Sequence, residues 1–189
     1  MHSYLVSSEV VDWTHPDVRA LARELGGEDG PLAVAARCFL WARDEVGHSI
    51  DHGDQTVTLT ASEVLRHRTG LCYAKSHLLA ALLRANGIPA GFGYQRLSVA
   101  DSGPPFCLHG FNAVALSEQG WYRVDARGDR PGIRTSFDPP REVLAYRPRH
   151  PGERTFEEIW AEPLPVVVDA LRRCGDVSEL LSQLPDWPG

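Results

Sequence analysis

A chain of 189 residues with a formal charge of −6 and a pI near 5.7 lacks the concentrated basic face that phosphate contacts need, so a nucleic-acid partner is not expected. With 43% hydrophobic and 23% charged residues and no apolar run of bilayer length, the composition predicts a soluble single domain over 1–189, without membrane contact. A chain of this length buries enough surface to need no disulfide or metal staple. The start Met1-His2-Ser3-Tyr4-Leu5-Val6 lacks the basic and apolar pattern of a secretion signal, which makes a cytoplasmic, reducing location the expectation. Cys38, Cys72, Cys107 and Cys174 form no C-x-x-C pair and are read as catalytic or core thiols.

Pro16 opens a predicted helix to about Leu25, and Pro31 opens a second over Leu32 to about Val46, with Cys38 and Trp41 facing inward. Thr60-Ala61-Ser62-Glu63 has the capping-box pattern and starts a short helix to about His67, after which Thr69-Gly70 implies a turn. The run Cys72 to Ala85 combines strong helix formers with apolar residues at Ala74, Leu78, Leu82 and Ala85, and Gly87 marks its end. It reads as a buried central helix.

Beyond Pro89 the texture alternates, and antiparallel strands are predicted at about 90–97, 109–116 and 121–126. A Pro-rich strand or loop near 159–166, a helix from about Val166 to Arg173 and a last helix from Ser178 to Leu184, with Asp176 near its cap, complete the chain. Helices first and a meander second give an α+β class: a central helix packed on an antiparallel sheet.

Cys72 stands at the first residue of that central helix, where free N–H groups and the helix dipole favour a thiolate. Gly70 lets the chain turn tightly before it and leaves an approach for a substrate carbonyl, whose oxyanion could accept the Cys72 N–H. A thiol nucleophile needs a base, and an imidazole needs a partner that fixes its tautomer. His109, on one strand, and Asp125, at the end of the next, fit these roles. Their even separation puts both on one sheet face if the loop has an odd length, directly opposite if it centres on Ser117 and displaced if it centres on Gln119.

Three segments resemble the transglutaminase-like superfamily, which has a papain-like arrangement of helix-borne Cys and strand-borne His and Asp. They are R-T-G-L-C-Y-A-K-S-H-L-L-A-A-L-L-R-A-N-G-I-P-A at 68–90, H-G-F-N-A-V-A-L at 109–116 and W-Y-R-V-D-A-R-G at 121–128. The helix A-A-R-C-F-L-W-A-R-D-E-V at 35–46 adds to the likeness. The resemblance implies a Cys72–His109–Asp125 triad that transfers an acyl group from an amide or ester through a thioester. It favours hydrolysis, as in a small bacterial-type member. No run of carboxylates has calcium-loop spacing, so no cofactor or calcium is expected. Phe111 stands where the family often has Trp, and Ala126 where proline often follows the acid.

Lys75 and Ser76 share a helix side with Cys72 and are candidate substrate contacts beside Gly70 and Phe111; for Lys75 the plainer reading is a solvated helix position. His77 reads as structural, and His48, His52 and His67 as surface or packing residues, while His52 or Gln55 could be a second oxyanion donor. Two rival readings are a binding module of this fold without activity and a zinc site of Cys72, Cys107, His109 and Asp125. The expected partner is a peptide, protein or small amide substrate.

Overall fold

The computed structural model describes residues 1–100, 102–116 and 120–189. After a short 3-10 turn at His2–Leu5, α1 (Pro16–Leu25) buries Val18, Leu21 and Ala22, the one-turn spacing of a half-buried helix. Next come α2 (Pro31–Asp44), β1 (Gly47–His48), the single turn α3 (Ser49–His52) and α4 (Ala61–His67). The predicted capping box is present: Glu63 N–H donates to Thr60 Oγ1 at 3.1 Å, and Thr60 N–H donates to Glu63 Oε2 at 3.1 Å.

The turn expected at Thr69-Gly70 lies one residue earlier, on the left-handed Arg68 (φ 55°). Thr69–Gly70 is itself a strand, β2, paired in parallel with β1 through Gly47–Thr69 and His48–Gly70. A side chain at position 70 would bring its Cβ to 3.0 Å from Thr58 Oγ1 and 3.1 Å from Ala74 Cβ, so β2 approaches the next helix closely because residue 70 is glycine.

That helix, α5 (Cys72–Ala85), is the centre of the molecule, with every residue from Cys72 to Arg84 buried. It packs against α1, α2, α4 and the sheet. Its apolar residues Leu78, Leu79, Leu82 and Leu83 are wholly inside, so no face is left for water. It ends as predicted: Gly87 takes a φ of 72°, and Ile88 N–H reaches back to Leu83 O at 3.0 Å.

The strands β3 (Ala90–Ser98), β4 (Phe106–Ala115) and β5 (Trp121–Val124) form the meander, followed by the hairpin β6 (Ser136–Asp138) and β7 (Arg141–Val143) and the short β8 (Arg154–Thr155). The main sheet runs β5-β4-β3-β8, all antiparallel. The helices α6 (Pro165–Arg173) and α7 (Val177–Ser182) close the chain, the latter capped by Asp176 accepting from Glu179 N–H at 2.8 Å. The mixed helix and antiparallel-sheet architecture is the α+β class that the sequence predicts. None of its helices is long and apolar enough to cross a membrane, among the described residues.

Candidate active site

The helix start places Cys72 where α5 meets the sheet, 8% exposed, with Leu71 as a cap that supplies no side-chain bond. The first N–H groups of the helix therefore point to the sulfur's surroundings without an intrahelical acceptor. His109 comes from the middle of β4 and is 4% exposed. Its Nε2 lies 2.7 Å from Asp125 Oδ2, and the Cys72 thiol is near enough to help raise the pKa of the imidazole.

The register explains how acid and base meet. In the β4–β5 ladder Val114 pairs with Tyr122 and Asn112 with Val124. One step further along this ladder sets Asp125 against Phe111, two positions past His109, so the two are diagonal neighbours on one face. Direct opposition through a loop centred on Ser117 is not the register found, and the loop positions themselves, 117–119, lie outside the described residues. A diagonal pair is bridged by the length of imidazole and carboxylate.

Asp125 is fully buried and saturated. Oδ1 accepts from Arg127 N–H at 3.0 Å, and Oδ2 accepts from Ala145 N–H at 2.9 Å as well as from His109. Burial alone would raise its pKa, but the His109 charge and these donors hold it below the usual carboxylate range. For His109, burial alone would lower the pKa, and the neighbouring Asp125 and Cys72 reverse this, raising it well above the ordinary value. The acid and the thiol thereby bias the imidazole toward its charged form.

Around this core lies a set of groups that sequence spacing did not reveal. Arg127 grips Asp51 through two bonds, at 2.6 and 3.0 Å, and donates from Nε to Tyr146 Oη at 3.1 Å. The Tyr146 ring stands edge-on to His109, with centroids 4.8 Å apart. His48 is buried beside Asp51, its Nδ1 3.9 Å from the carboxylate. The only sequence signals for these residues are the D-x-R step after Asp125 and the His48/Asp51 spacing of one helical turn.

Four expected contacts are corrected. Lys75 is 1% exposed, and its ammonium donates to Arg43 O at 3.1 Å and to Val46 O, tying the end of α2 to α5 rather than facing substrate or solvent. Ser76 Oγ donates to Cys72 O at 2.8 Å inside the helix and is likewise buried. Phe111 is wholly buried, its ring filling the space where a Gly93 Cβ would come within 2.2 Å, so it is core. Gly70 is buried backbone whose role is the close approach of β2 to α5.

Neither candidate for a second oxyanion donor is available in the expected way. Gln55 Oε1 accepts from Ser178 N–H and Oγ at 3.1 and 2.9 Å, which commits it to α7. His52 is exposed, with its ring against Gly47. The zinc alternative also fails on geometry. Among the described residues no three His, Cys, Asp or Glu side chains are grouped to hold a metal ion, and both Asp125 oxygens already accept N–H groups. His77 is structural, as read, donating from Nδ1 to Leu59 O at 2.7 Å.

A thiol at a helix N-terminus beside a strand-borne imidazole and carboxylate, on an α+β scaffold, defines the class of protein. The model of the Transglutaminase-like superfamily matches residues 19–126, more than half of the chain, and the chain belongs to that superfamily. A solved structure of a candidate cysteine protease from Cytophaga hutchinsonii is similar, with TM-score 0.52 and 21% identity, covering 66% of this chain and 40% of that one. The periplasmic domain of TgpA from Pseudomonas aeruginosa, with ethylmercury bound, matches at TM-score 0.47 and 26% identity, covering 66% and 46%. The chain thus spans less than half the length of the solved chains that it resembles. No curated protein matches it.

Proposed function

We propose that this protein is a cysteine-dependent acyl-transfer enzyme in which Cys72 is the nucleophile, His109 its base and Asp125 the group that orients and charges the imidazole. One observation carries the reading: His109 bonds through Nε2 to a saturated, buried carboxylate at 2.7 Å, with the Cys72 thiol the other group that raises its pKa.

The thiolate attacks an amide or ester carbonyl, and the Cys72 N–H at the start of α5 donates to the developing oxyanion. The imidazolium gives its proton to the leaving amine or alcohol, and a thioester remains. Water or an amine then adds, its proton passing to His109, and the C–S bond breaks to restore the thiolate. The substrate is an amide or ester of a peptide, a protein or a small molecule.

Alkylation with iodoacetamide, read out by cysteine-containing peptide, tests the assignment. Burial pushes the Cys38 thiol up to about 12 and the Cys107 thiol up to about 11, and neither stands at a helix start. Near neutral pH Cys72 is expected to label at least about tenfold faster than Cys38, Cys107 or Cys174. Equal rates for all four would remove the nucleophile.

A further inference from the structure

One buried nitrogen beside the site has no partner. His48 is 6% exposed, and its Nδ1 is sealed from solvent without a hydrogen bond, the nearest carboxylate oxygen, on Asp51, standing too far off at 3.9 Å. Its Nε2 likewise bonds to no described residue, but it is not among the sealed atoms. A leucine would fill this volume without an unpaired polar atom, so a histidine here calls for a reason outside packing.

Its position supplies one. His48 pairs with Gly70 across β1 and β2, two residues before the nucleophile, and strand neighbours lie about 4.8 Å apart. The charges that act on its ring belong to Arg127, Asp51, Lys75 and His109. Each of these is committed: Arg127 to Asp51 and Tyr146, Lys75 to two carbonyls, His109 to Asp125 and the thiol. His48 Nε2 is the uncommitted atom of the group. Burial, reinforced by Arg127, lowers the pKa to about 3 and keeps the ring neutral. The Asp51 carboxylate favours the proton on Nδ1, which leaves a lone pair on Nε2.

A lone pair repels an oxyanion and accepts from N–H or O–H. In the resolving half of the thioester reaction, the acceptor's nucleophilic atom forms a bond to the acyl carbon. One of its hydrogens goes to His109, and the electron pair of the broken C–S bond returns to Cys72. Water and primary amines carry a second hydrogen on that atom; alcohols and thiols do not. We propose that His48 is a catalytic residue that holds the acyl acceptor by this second hydrogen, so that the enzyme resolves its thioester with water or primary amines in preference to acceptors with one hydrogen. The inference rests on the thioester mechanism above.

The test uses p-nitrophenyl acetate as acyl donor with water, hydroxylamine and methanol as acceptors. The burst of p-nitrophenol reports acylation, and the steady state with its products reports resolution. In His48→Leu the burst is expected to persist, hydrolysis and hydroxylaminolysis to slow about tenfold, and methanolysis to change less than about twofold. His48→Gln, whose Oε1 reaches the place of Nε2, is expected to recover both slowed rates to within about threefold of the wild type. His48→Asn, whose polar atoms stop short at the place of Nδ1, is expected to behave like His48→Leu. The urea midpoint of His48→Leu is expected at or above that of the wild type, because the sealed nitrogen is gone. Unaltered resolution, or equal slowing with methanol, would overturn the role of His48 while the burst still stood. A burst that survives Cys72→Ala would overturn the thioester reading and this inference with it.

Discussion

At His109, burial and charge pull in opposite directions, and the charge of Asp125 is what tips the balance toward the imidazolium. Arg127 N–H and Ala145 N–H bond to different oxygens of Asp125, so Asp125→Asn keeps an acceptor for only one of them while it removes that charge. The fold is expected to persist, while iodoacetamide labelling of Cys72 at neutral pH falls by roughly tenfold or more, since each pKa unit lost by the imidazole is about 1.4 kcal/mol. A labelling rate unchanged from the wild type would show that the carboxylate does not govern the thiol. Gly70 makes a second test at this scale. In Gly70→Ala the new Cβ meets Thr58 Oγ1 and Ala74 Cβ at 3.0 and 3.1 Å, and the second of these is fixed to the α5 backbone. A loss of about 1–3 kcal/mol in urea unfolding is expected, because neither neighbour has room to retreat.

At the scale of elements, α5 is an unusual helix because four polar side chains, Lys75, Ser76, His77 and Arg84, are sealed within it. Lys75, Ser76 and Arg84 are satisfied by backbone carbonyls: Arg84, for instance, donates to Ala90 O at 2.9 Å and to Val6 O at 2.8 Å, while His77 bonds to Leu59 O through Nδ1 and keeps a sealed Nε2 without a partner among the described residues. The helix thereby clamps chain segments on several sides. Lys75→Met leaves two carbonyls at the end of α2 without their donor, and a loss of about 1–3 kcal/mol is expected with Cys72 labelling retained. Lost labelling at full stability would instead restore Lys75 to the site.

What was legible in the sequence follows the same scale. The capping box at Thr60, the prolines at 16 and 31, the cap at Asp176 and the glycine at 87 are local signals, and each marks a helix end within a residue or two. The strands β1, β2 and β6 to β8 have two or three residues each, too few for any periodicity, and long-range pairing decides them. Likewise Cys72, His109 and Asp125 could be read from motifs, whereas Arg127 and Asp51 stand 76 positions apart and leave no spacing signature. Lys75 and Ser76 were misread because their shared side with Cys72 faces protein, not a cleft.

For the molecule as a whole, buried histidines of two kinds set opposite pH limits. His77 and His48, both neutral in the fold mainly through burial, have pKa values lowered to about 4 and about 3, while the unfolded chain titrates near about 6.5. Between those values the unfolded state binds more protons, so stability is full above about 6.5 and falls with acid, by up to about 1.4 kcal/mol per pH unit for each group. His109 works the other way: its raised pKa contributes stability below about 6.5 that is lost as pH rises through the folded value. The urea midpoint is therefore expected to peak near neutral pH. His77→Leu should flatten the acid side and Asp125→Asn the alkaline side; a profile that these variants leave unchanged would refute the assignment of the slopes.

Lys75 is also the only lysine in the chain, and its amine lies 1% exposed against backbone carbonyls. An enzyme that forms thioesters and hands acyl groups to amines risks modifying or crosslinking its own copies wherever a lysine is offered. Here the one ε-amino group is out of reach, so the folded chain presents no lysine amine to its own thioester.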